Sequence, residues 1–239
     1  MISYMTYPYQ KLIPFEYENH EDNSYLAESY KTLGPLHSAL CIGVDFTSKN
    51  QFPIVEPNNG NIPEILCSVH RLHKKPDSLL RGICGHFFTS DSNLEPYWTH
   101  PFKNLQWLKK LGYVTSTDFS LYSNMVLMQK LWNSFRNKLM SAFLQRNNIN
   151  IIPAPSWGDI ENIELYMEGW PKNSLIAINS TGIGRDKRCR HIWLDGYYAM
   201  LDILKPIHIL RYGNYVEGER KEISTLYPNN NKPGYRYGG

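Results

Sequence analysis

Residues 113–159 read YVTSTDFSLYSNMVLMQKLWNSFRNKLMSAFLQRNNINIIPAPSWGD. They open on a short β-branched run, Tyr113 to Thr115, and close on a second apolar run, Ile149 to Pro153. Between the two, Met125, Met128, Trp132, Phe135, Leu139 and Phe143 recur at steps of three and four. That period predicts a helix from near Asn124 to the polar pair Asn147 and Asn148. Strand, helix, strand in this order is a crossover unit, and crossovers join parallel strands.

The alternation continues on both sides. Gly82 to Phe88 (GICGHFF), Ser174 to Ile178 (SLIAI) and Pro206 to Leu210 (PIHIL) are largely apolar rather than alternating, as expected of strands covered on both faces. Helical segments fill the gaps. One starts with Pro101 at N1 and carries Phe102, Leu105, Leu108 and Leu111 up to Gly112; another, capped by Asp159, carries Ile160, Ile163 and Met167. The last stripe is Trp193, Tyr197, Met200, Leu201 and Leu204, stopped by Pro206. The reading is an α/β fold, a mostly parallel sheet with crossover helices. Five or six strands are too few for an eight-fold barrel, and an open, doubly wound sheet is favoured over a partial barrel.

Three regions follow. Residues 1–38 form a Tyr- and Pro-rich extension; residues 39–216 form a single α/β domain, opening with the strand-like Ala39 to Phe46; residues 217–239 lose apolar periodicity and read as a mobile tail. Hydrophobic residues make up 42% and charged residues 20% of the 239, which excludes wholesale disorder. A net charge of +3 is too weak to imply nucleic acid, so only local clusters argue for it. The sequence shows no long apolar run and no secretory leader, and Cys41, Cys67, Cys84 and Cys189 lack a disulfide framework. A cytoplasmic protein away from membranes is expected.

Ligands of open parallel sheets gather at the carboxyl ends of the strands. Asp91 and Asp118 follow consecutive strands, where they could share a divalent cation, split acid and base roles, or simply cap their loops. Ser120 follows Asp118, and Trp157 lies in a strand-to-helix loop from which it could stack on a base or close the core. Ser180, Thr181 and Gly182 run into Arg185, Lys187, Arg188 and Arg190; hydroxyls, free backbone N–H groups and downstream cations suit a phosphate. The segment matches neither a Walker A loop nor GxGxxG, and a solvated basic loop is the alternative. Cys67, His70 and His73 stand at zinc-compatible intervals, but their spacing to Cys84 and His86 fits no standard module and no zinc is expected. His86, inside an apolar run, reads as a core histidine. Arg136 shares the Trp132 helix face, with Asn133 about 100° round the helix, and is expected to pair with Asp118.

The segment 113–159 resembles the domain of unknown function 4417 family of bacteria, phages and other mobile elements. Ser116, Asp118, Phe119, Ser120, Leu121, Tyr122, Trp132, Asn133, Arg136, Pro153 and Trp157 carry the likeness, which extends from about His86 to Gly213. The family pattern often has two adjacent Asp after the HFF strand, where this chain has Ser90 and Asp91. The resemblance implies a mobile-element setting, with replication, nucleic-acid handling or antagonism of host defence as roles. Two readings stand. In one, the strand ends bind a phosphorylated small molecule or nucleotide. In the other, the chain is a non-enzymatic module that binds nucleic acid or a host protein.

Overall fold

The computed structural model describes residues 37–72, 75–181, 183 and 187–227. The chain divides into two units, Met1–Asp45 and Phe46–Gly239, and both sheets lie in the second. In the first unit, the expected strand-like piece is instead a 3-10 turn, Ser38–Cys41.

The elements of the second unit alternate strand and helix. They are β1 (Ile65–Ser68), α1 (Val69–Leu72), α2 (Asp77–Leu80), β2 (Ile83–Phe87), α3 (Asp91–Thr99), α4 (Leu105–Leu108), β3 (Tyr113–Thr117), α5 (Leu127–Arg146), β4 (Ile151–Ile152), α6 (Ile163–Met167), β5 (Leu175–Asn179), α7 (Lys187–Leu204), β6 (His208–Tyr212) and β7 (Ser224–Tyr227). Every strand pair is parallel, in the orders β1-β2-β3-β4 and β5-β6-β7. The α/β fold with open parallel sheets is therefore present. Strand order follows chain order in both sheets, without the reversal that defines a doubly wound sheet.

One inner cluster explains that order. Leu66, Cys84, Phe88, Ile152, Ala154, Leu175, Ala177, Leu210, Tyr212 and Tyr227 pack together, so strands of both sheets turn alternate residues to a shared interior. The seam is bridged where Ala177 N–H donates to Pro153 O at 2.8 Å. The opposite faces of β5 and β6 bury Ile176, Ile178 and Ile209 under Tyr166, Met167, Trp193, Tyr197 and Met200 of α6 and α7. Burial on both faces is why these strands read as unbroken apolar runs.

Two boundaries depart from expectation. Residues beyond 216 are not wholly a tail, because β7 pairs with β6 from Ile209↔Ser224 to Tyr212↔Tyr227. The Tyr227 hydroxyl, in turn, donates to Pro63 O. In α5, Met128 and Trp132 face outward, at 71% and 38% exposure, while Asn133, Arg136, Asn137, Lys138 and Ser141 are buried. The apolar stripe thus holds only over the helix's second half, because the first half turns polar groups onto the loop after β3. No helix among the described residues is long and apolar enough to cross a membrane.

Candidate functional site

Asp118 owes its direction to a bulge. Val114 pairs with Gly85 but Thr117, not Ser116, pairs with Phe87, so β3 carries one extra residue. Phe87 faces the helices, meeting Tyr97 of α3 ring to ring at 4.9 Å. Thr117 shares that face, and Asp118 consequently falls on the inner one. Hydroxyls of the bulge replace ladder bonds: Phe87 N–H donates to Thr115 Oγ1 at 3.0 Å and Ala154 N–H to Ser116 Oγ at 3.2 Å.

Three strand ends meet at the Asp118 carboxyl. The Asn179 side chain, at the end of β5, and Ser156, in the loop after β4, lie beside it and favour its charged form. Asn179 is inward-facing because it alternates with Leu175 and Ala177. Its Oδ1 accepts from Thr181 N–H at 2.8 Å and from Thr181 Oγ1 at 2.6 Å, which leaves its amide N–H₂ for Asp118. Burial raises the Asp118 carboxyl to about 7, helped by the neighbouring charge of Asp91 and opposed by the Asn179 and Ser156 hydrogen bonds.

Helix α5 holds the segment after Asp118 still. Asn137 accepts from Phe119 N–H at 2.8 Å and donates to Phe119 O at 3.1 Å, and Asn133 donates to Ser120 O at 2.7 Å. From the other side Asp91, first residue of α3, accepts from Ser120 N–H at 3.1 Å and Ser120 Oγ at 2.8 Å. Asp91 therefore secures the loop that carries Asp118. Arg136 does not pair with Asp118. Its guanidinium lies over the Phe119 ring at 3.7 Å and donates to Glu95 at 2.7 Å and to Asn133 Oδ1 at 2.7 Å. Glu95 captures it because α3, not foreseen as a helix, brings a carboxylate alongside α5. A guanidinium flat on an aromatic face keeps its in-plane donors for such partners.

The remaining candidates divide. Ser180 donates to Asn214 O at 2.7 Å and ties β5 to the loop after β6. Thr181 joins the site through Asn179. Trp157 is not at the site's rim: its ring meets Trp193 at 5.7 Å and lies over Gly196 of α7, where an added Cβ would come within 2.2 Å of the indole. Gly196→Ala is accordingly expected to cost about 1–3 kcal/mol in urea unfolding and to shift tryptophan fluorescence. Gly182 and Arg185 lie outside the described residues, as does the side chain of Lys187 at the start of α7.

The metal candidates separate too. Cys67 belongs to β1 and His70 to α1, so they do not share a helical face, and His73 lies outside the described residues. Among the described residues no group of three or more His, Cys, Asp or Glu could hold a metal ion.

Sequence reasoning missed Asn179 and Glu95. Asn179 was detectable as the polar residue ending an apolar strand, directly before Ser180. Glu95 carried no comparable signal, since its role depends on a partner 41 positions away.

Comparison with known proteins agrees with the resemblance read from the motif. The chain is 28% identical over 167 residues to the Gene 1 protein of Mycobacterium phage L5, covering 70% of this chain and 72% of that protein. It is 24% identical over 204 residues to the Gene 1 protein of Mycobacterium phage D29, covering 78% and 75%. No solved structure matches. The domain of unknown function (DUF4417) matches residues 45–228, a span that includes both sheets, the bulge at Asp118 and the α5 clamp, and the chain belongs to that family.

Proposed function

We propose that the strand-end cluster around Asp118 binds a phosphorylated small molecule or nucleotide in a phage protein. The convergence of Asp118, Asn179 and Ser156 from three successive strand ends carries the reading. A carboxyl near neutrality both accepts and donates hydrogen bonds, which suits the hydroxyls and ring N–H groups of a nucleoside. Thr181 bonds Asn179, and Arg185 and Lys187 follow it closely in sequence, supplying charge for a phosphate. Ser120 and Ser180 contribute by holding their loops.

A thermal-shift screen with nucleotides tests it. A ligand at 100 times its dissociation constant adds about 2.7 kcal/mol, a rise of roughly 5–10 °C for a fold of this size. Thr181→Val with Arg185→Ala is expected to weaken that binding at least tenfold, about 1.4 kcal/mol. Absence of a shift with every nucleotide sinks the proposal. A second reading, a module that docks on nucleic acid or a host protein, is favoured by the exposed Tyr122 and Val126 before α5 and Leu127 and Met128 at its start. Salt-dependent gel retardation without any nucleotide shift would point there.

A further inference from the structure

His86 is 1% exposed, and its Nε2 has no hydrogen-bond partner. Its Nδ1 accepts from Phe88 N–H at 3.2 Å, which puts the ring proton on Nε2 and turns Nδ1 back to the β2 backbone. Nε2–H consequently points away from β2 into the interior shared by the two sheets. The ring crosses that interior to lie 4.1 Å from the Tyr212 ring on β6. Tyr212 pairs with Asn179, which neighbours Asp118, so His86 and the carboxyl adjoin paired residues of β5 and β6. A buried donor without an acceptor is costly, and a ligand oxygen there would recover that cost.

We propose that His86 is a binding residue of the strand-end site, its Nε2–H donating to a neutral oxygen, sugar hydroxyl or base carbonyl, of the ligand whose donor group Asp118 holds. This rests on the nucleotide reading above. The oxygen is neutral for two reasons. Burial keeps the imidazole uncharged, down to about 3, so it offers a hydrogen bond and no countercharge. The Asp91 carboxylate beside Asp118 repels a phosphate, which places the nucleoside end inward and the phosphate end outward.

The probes are the four ribonucleoside 5′-monophosphates, ribose 5-phosphate and inorganic phosphate. In long-range ¹H–¹⁵N spectra of the wild-type chain, the His86 Nε2–H signal should shift with a nucleoside monophosphate and stay put with inorganic phosphate. A shift with ribose 5-phosphate assigns the acceptor to the sugar, and a shift with nucleotides alone assigns it to the base; both support the proposal. His86→Phe, which keeps the ring on Tyr212 and removes the donor, should lose at least tenfold in affinity, while His86→Gln keeps most of it. If the wild type binds a nucleotide with its His86 signal unmoved, or His86→Phe binds equally well, this inference fails and the site stands. If the wild type binds none of the nucleotides, both fail.

Discussion

Arg211→Ala is expected to destabilise the fold by about 3–5 kcal/mol, because it strands a carboxylate in the interior. Arg211 and Glu219 are each 1% exposed at the side chain, and Nε of one lies 3.0 Å from a carboxylate oxygen of the other. The guanidinium also donates to Tyr212 O at 2.9 Å and Asn214 O at 2.8 Å, and lies 4.9 Å from the Trp193 ring. Glu219 accepts from Val216 N–H at 3.1 Å. One ion pair thus fastens the β6–β7 connection to the sheet and to α7, and Ser180 reaches the same Asn214 carbonyl. Urea unfolding of Arg211→Ala and of the double variant Arg211→Met with Glu219→Leu separates the causes. The double variant should be less damaged than the single one, since it leaves no unpaired charge. Equal losses would mean that the carbonyl contacts, not the buried charge, hold the loop.

Asp118→Asn is expected to reverse the usual penalty of altering a site residue and to stabilise the protein above neutrality. In the folded chain the Asp118 carboxyl titrates at about 7 against an ordinary 3.8. Well below pH 3.8 it is protonated in both states and costs nothing. Between pH 4 and 7 the folded chain holds a proton that the unfolded chain has released, so stability falls as pH rises. Each unit of that window is worth up to about 1.4 kcal/mol, and the whole up to about 4 kcal/mol. Asparagine has no such titration. The variant should therefore match the wild type near pH 4, exceed it by that amount at pH 8, and fail to bind whatever nucleotide the wild type binds. Parallel stability profiles for the two proteins from pH 4 to 8 would show that the carboxyl is solvated and ordinary.

Local pattern determined the β/α alternation and the parallel pairing. Strands buried on two faces are largely apolar along their length, and SLIAI, PIHIL and GICGHFF meet that condition without reference to any partner. The placement of Asp118 at a strand end was legible for the same reason, since the run before it stops there. Its orientation was not. An extra residue in β3 exists only relative to β2, so the turn of Asp118 toward Asn179 is a property of pairing rather than of the segment YVTSTD. Likewise STLY is too short to declare itself a strand, and the open edge of β6 recruits it.

The polar half of α5 was misread because period alone cannot tell which stripe is inward when a helix serves a loop as well as a core. Asn133 and Asn137 go inward because buried backbone groups of Phe119 and Ser120 need partners. Arg136 was correctly expected to be held, and wrongly given Asp118, because Glu95 reaches it from a helix whose position depends on the sheet. Residue type and spacing, which are local, determined the elements and the residues at their ends. Which of those residues face one another depends on strand register and on the curl that gives two sheets one interior, and both arise only when distant segments pack.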